Sequence, residues 1–184
     1  MSSAARVSSP STSSGNVVRD SPLGHAPEML EHLLPLLRGV WLDGPLRPDL
    51  LEMARLRNAD KVNCVFCRSV RYDIAREAGL DEQKIGQMRG DDTGLGRRER
   101  LLLAYVDCYL EDPGSLSDEL ARQLAEEFSH GELAHLSLAL LLFNTFSRCA
   151  VAFGGMPESV PITAMALPDA SGCGSQPPAS GAIS

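Results

Sequence analysis

No stretch of this chain alternates apolar and polar residues over the length of a strand, whereas apolar residues recur at helical spacing from Met29 to Phe153. The pattern predicts an all-α fold, a single compact helical domain of six to seven helices. The expected helices cover about 26–40, 48–60, 63–78 and 81–88, then a segment through Leu101 and Tyr109, then 117–128 and 130–153. Pro35 falls inside the first and predicts a kink or break there. Pro48 suits a first helical turn, Asn63 and Asp81 are expected N-caps, Gly79 suits a left-handed C-cap, and Ser129 with Glu132 has capping-box spacing. The last helix is apolar on most sides, so it should be central or lie at a subunit interface.

Residues 1–22 and 168–184 are rich in Ser, Pro, Gly and other small residues. They are expected to be disordered tails, leaving 23–167 as the domain. The charge balance, 17 basic against 24 acidic residues, argues against nucleic acid as a partner, since phosphate binding needs clustered positive charge. No apolar run approaches the ~20 residues of a membrane span. The interrupted run from Leu136 to Phe146 reads as a buried helix. Five cysteines without a secretory signal point to a reducing, cytoplasmic setting.

Only Cys64 and Cys67 have redox spacing. A Cys-x-x-Cys pair entering a helix puts two sulfurs on one face, within reach of a disulfide, where the first-turn N–H groups favour a thiolate. At ~100° per residue, Arg71 falls on the same inward face, and Ser69, Asp73 and Arg76 on the opposite one. An inward guanidinium must be paired, and Glu52 or the thiolate are the partners expected for Arg71. Cys108 and Cys149 read as small buried hydrophobes, and Cys173 as a bystander. His135 reads as a packed core histidine. Asn144 and Arg148, four apart on one face, read as a polar anchor, or alternatively as a wall of the site. His25, His32 and His130 lack ligand spacing with one another or with a cysteine, so no metal and no cofactor is expected. The dipeptide Val65-Phe66 makes the mouth of the cysteine pair apolar and favours an apolar small-molecule substrate.

Glu52, the run Cys64-Val65-Phe66-Cys67 twelve positions later, a polar residue at Arg71, and Ala75-Arg76-Glu77-Ala78-Gly79-Leu80 together resemble the alkylhydroperoxidase D and carboxymuconolactone decarboxylase superfamily. The segments Arg98 to Tyr105 and Phe143 to Arg148 are similar to its closing half, and the resemblance spans about 27–155. It implies a helical domain that assembles into trimers or larger homo-oligomers, with Cys67 as peroxidatic thiol, Cys64 as resolving partner and Glu52 in a proton relay. Members with that relay carry a histidine where this chain has Arg71, which stays protonated and cannot act as a base. Three functions follow as alternatives. The leading one is a peroxidase-like thiol oxidoreductase that uses the Cys64/Cys67 pair to reduce a hydroperoxide or exchange disulfides, reset by a dithiol that could be a protein. The second is a lyase, isomerase or decarboxylase using Glu52 and Arg71, and the third a non-catalytic oligomer.

Overall fold

The computed structural model describes residues 4–167. Among these residues eight α-helices follow one another: α1 Pro27–Leu42, α2 Pro48–Val62, α3 Val65–Ser69, α4 Asp73–Glu77, α5 Glu82–Arg89, α6 Arg97–Glu111, α7 Asp118–Glu127 and α8 His130–Phe153. Two three-residue strands, β1 Val70–Tyr72 and β2 Thr163–Met165, pair in parallel, with Arg71 opposite Ala164. The expected all-α fold holds apart from this short ribbon.

The caps expected at Ser129, Asp81 and Gly79 form. Ser129 and Glu132 close a reciprocal capping box on α8, Asp81 accepts from the Lys84 amide at 2.8 Å, and Gly79 takes a φ of 102°. Helix α1 passes through Pro35 unbroken. The proline stands on an exposed turn, where water can satisfy the Glu31 carbonyl that loses its partner.

Helix α2 is the centre. It packs against α8 and α6 along its length and against α3 and α4 on its other flank. Leu50, Leu51, Met53, Ala54, Leu56 and Ala59 are buried, and so are Glu52, Arg55 and Asn58. Such a helix survives only if each buried polar group has a partner. Asn58 donates to the Ser147 hydroxyl at 3.1 Å and accepts from Asn144 at 2.8 Å; Asn144 in turn accepts from Arg148. Asn144 and Arg148 thus belong to the anchor that ties α8 to α2.

Helix α8 has 24 residues and, among the described residues, is the one helix long and apolar enough to cross a membrane by length and composition alone. Its bounds are those the sequence predicts, but its apolar stretch runs past the polar interruptions at which the sequence expectation ended. Its Leu136, Ala139, Leu140 and Phe143 belong to the core shared with α2, while Leu138 and Leu141 are exposed beside Leu36 of α1.

His135 is buried, with Nε2 donating to the Val40 carbonyl at 2.8 Å and Nδ1 accepting from the Leu46 amide at 3.2 Å. Both ring nitrogens are used, which supports the packed reading. Gly44 makes room for that ring: a Cβ there would lie 1.9 Å from His135 Cε1. Gly44→Ala is therefore expected to destabilise the protein by about 2–4 kcal/mol through overpacking and strained hydrogen bonds. Gly86→Ala, in an exposed helical position with open space around it, should stabilise by about 0.5–1 kcal/mol. Urea denaturation of the two variants checks both signs.

Candidate functional site

The site begins on the face of α2 that meets α3. Arg55 and Glu52, three residues apart, form a buried bidentate pair with both N–O distances at 2.6 Å. The Glu52 carboxylate also lies 3.4 Å from the Tyr72 amide. The other donors of Arg55 reach across to the Cys67 and Val70 carbonyls, each at 2.7 Å. Desolvation alone would pull the Arg55 pKa down; the charge and hydrogen bonds of Glu52 outweigh it and hold the guanidinium above its ordinary value. The pair is a net-neutral dipole whose positive end rests on the peptide group of Cys67.

Those contacts also explain why the third expected helix, 63–78, is divided. A helix continuing past Ser69 would need the Cys67, Arg68 and Val70 carbonyls for amides four residues on. Arg55 takes those of Cys67 and Val70, and Arg71 takes Arg68 at 2.7 Å and Val70 at 2.9 Å. With these acceptors occupied, Val70-Arg71-Tyr72 extends and pairs with β2. Asn63 is not the N-cap of this segment: at φ 58° it terminates α2. Cys64 does the capping, its sulfur accepting from the Cys67 amide at 3.2 Å.

The break redirects Arg71. It is buried as expected, but its partner is neither Glu52 nor a cysteine sulfur. Its fork holds Glu82 at the start of α5, with Nε to Oε1 at 2.6 Å and Nη2 to Oε2 at 3.1 Å. The register that placed Arg71 beside the sulfurs assumed an unbroken helix.

Cys64 and Cys67 form a disulfide with their Cα atoms 5.2 Å apart, within the ordinary range for such bonds. Cys64 is fully buried, whereas Cys67 is half-buried and lines two adjoining cavities. The smaller, about 150 Å3, lies between Arg55, Tyr72, Phe143 and Ser147. The larger, about 490 Å3, opens over Phe66, Cys67 and Val70 and is walled by Phe146, Ala150 and Phe153 of α8. Burial pushes the Tyr72 phenol up; Arg55 opposes that shift and Glu52 adds to it, so the side chain stays a neutral donor.

No family model matches the chain. An uncharacterized protein of Mycobacterium tuberculosis, matched in strains H37Rv and CDC 1551, is 32% identical over 111 residues, which is 59% of this chain. The chain spans only 39% of the length of that relative. Among solved structures, an Agrobacterium tumefaciens protein of unknown function, provisionally assigned to antioxidant defence as an AhpD, superposes with a TM-score of 0.60 at 27% identity. The match covers 71% of this chain and 90% of that one. The chain has an alkylhydroperoxidase D-like fold and belongs with that superfamily.

Within this alkylhydroperoxidase D-like domain the structure joins Cys64 to Cys67 and links Glu52 to Cys67 through Arg55; Arg55, Tyr72 and the N-terminal segment are not among the residues that the sequence singles out. The i,i+3 spacing of Glu52 and Arg55 on a helix was a usable signal. Residues 4–22, expected to be disordered, are placed against the domain: the Arg6 and Val7 amides donate to the Phe153 carbonyl at 2.7 and 3.3 Å. Cys108 and Cys149 are half-buried rather than core; Cys173 and the tail expected at 168–184 lie outside the described residues. Among the described residues no group of three or more His, Cys, Asp or Glu side chains could hold a metal ion.

Proposed function

We propose that the chain is a thiol-dependent peroxidase that uses Cys67 and Cys64 to reduce an organic hydroperoxide. The observation that carries this reading is the asymmetry of the pair: Cys67 lines a cavity, and Cys64 is buried within bonding distance behind it. In the reduced protein the Cys67 thiolate attacks the terminal peroxide oxygen. The S–O bond forms as the O–O bond breaks, leaving a sulfenic acid and an alkoxide that takes a proton and departs as alcohol. The Cys64 thiol then displaces hydroxide, which leaves with the thiol proton as water, and the disulfide closes. An external dithiol, small or carried on a protein, restores both thiols and leaves as its own disulfide.

Glu52 is fully engaged by Arg55 and the Tyr72 amide. Its proposed role is therefore to position Arg55 against Cys67 rather than to act as a free base. The lyase reading needs Arg71 to bind a substrate carboxylate, and its fork is already committed to Glu82. The non-catalytic reading needs no opening to a sulfur, which fits poorly with two cavities at Cys67. We place the protein in the cytoplasm as a homo-oligomer whose subunits meet on the exposed Leu36, Leu138 and Leu141 face; light scattering should give a multiple of the chain mass.

The test is hydroperoxide consumption with dithiothreitol as reductant. The parent should turn over repeatedly and Cys67→Ser should fall to the rate of buffer plus reductant. Equal rates for the two would remove the proposal.

A further inference from the structure

The larger cavity over Cys67 is not closed by the helical domain alone. Its roof is the N-terminal segment, which contributes Val17, Val18 and Leu23, and its far edge is the chain after α8, with Val160 and Met165. The roof is fastened in several places. Ala5 bridges to Gly154, and Arg6 donates through Nη1 to the Ala152 carbonyl at 2.9 Å. Gly154, at φ 74°, is closely covered: a Cβ there would meet the Ala4 carbonyl oxygen at 2.7 Å. Farther along, the Asp20 carboxylate accepts from the Ser14 and Gly15 amides and from both serine hydroxyls at 13 and 14, closing a tight loop. Asn16, buried, accepts from the Val18 and Arg19 amides at 3.0 and 3.1 Å and so fixes how Val18 is presented.

The volume, about 490 Å3, is that of an ordinary small-molecule site. Among the described residues, none that lines it is charged. Among the polar ones, the Ser69 hydroxyl is spent on the Val65 and Val160 carbonyls and the Ser21 hydroxyl on Val18. An ionised head group would find no counter-charge there and would lose its hydration. Val18 lines both this cavity and the smaller one beside Arg55, so it stands where the two join at Cys67.

We infer that the N-terminal segment, through Val18, is the specificity-determining wall of the Cys67 site, selecting a compact uncharged apolar hydroperoxide over hydrogen peroxide. This rests on the peroxidase reading for its chemistry and on the cavity for its selectivity. Apolar walls discriminate by tenfold or more when the substrate group that fills them is bulky.

The experiment compares kcat/KM for cumene hydroperoxide with that for hydrogen peroxide in the full chain and in Val18→Asp, a half-exposed position that should not jeopardise folding. It also measures binding of 2-phenyl-2-propanol, the alcohol product, by ligand-observed NMR. The parent should prefer cumene hydroperoxide, and Val18→Asp should lower the preference ratio about tenfold or more and weaken alcohol binding in parallel. A ratio and an alcohol affinity both unmoved by Val18→Asp would overturn the inference while leaving the peroxidase reading intact. If the parent consumes neither peroxide, the peroxidase reading fails, and the alcohol decides: binding lost in Val18→Asp upholds the wall, and binding absent or unchanged overturns it. Gly24→Ala gives a second route, because its Cβ would lie 1.9 Å from the Arg19 carbonyl oxygen and displace the segment; it should shift the ratio in the same direction.

Discussion

Arg55→Leu is expected to cost about 3–5 kcal/mol of folding stability, because it strands the Glu52 carboxylate at full burial without its cation. The same substitution takes the Arg55 donor from the Cys67 carbonyl, while the Val70 carbonyl keeps Arg71, and an unsatisfied buried acceptor costs about 1–3 kcal/mol. Removing the charge as well should recover much of this. A Glu52→Leu/Arg55→Leu double variant is expected to be more stable than Arg55→Leu alone, since a missing ion pair is cheaper than a broken one. Urea denaturation of the three proteins measures both effects. A double variant no better than the single would mean that the carbonyl contacts, and not the ion pair, are what Arg55 contributes.

Cys64→Ser is expected to reduce the catalytic cycle to one turnover. Cys67 can still attack the peroxide, but its sulfenic acid has no neighbouring thiol with which to close a disulfide. One equivalent of peroxide should disappear rapidly, after which the rate should drop to that of slow resolution by external thiol. A sulfenic-acid trap such as dimedone should label Cys67 under these conditions and should not label Cys67→Ser. Continued fast turnover without Cys64 would show that the reductant resolves the sulfenic acid directly, and the buried sulfur would lose its proposed role.

The helical fold was legible because its signals are local. Period, caps and turn residues around Asp81, Gly79 and Ser129 act within one turn, and each appears where the residues put it. The division of the 63–78 segment was not legible, because its cause is tertiary. Two guanidiniums, one from α2 and one from the segment itself, occupy carbonyls that a continuing helix would have used. Placing Arg71 beside the sulfurs depended on that continuous helix, so the misplacement followed from the missed break. Arg55 was overlooked because α2 carries so many polar residues that one flank should face water. It is buried instead, its donors satisfied by Glu52 on α2 itself and by the Cys67 and Val70 carbonyls of α3 and β1. The N-terminal segment has the composition of a disordered tail, yet it is fastened by main-chain bonds to Phe153 and by turns around Asp20 and Asn16. Such contacts depend on a receiving surface that composition does not reveal.

The central claim is that Cys67 is an accessible, peroxide-reactive sulfur with Cys64 waiting behind it. It is tested most directly by mixing the fully reduced protein with one equivalent of cumene hydroperoxide, counting thiols, and mapping peptides. The account predicts the loss of two thiols per peroxide and recovery of a Cys64–Cys67 peptide, with Cys108 and Cys149 still free. An unchanged thiol count, or oxidation that falls on Cys108 or Cys149 instead, would contradict it.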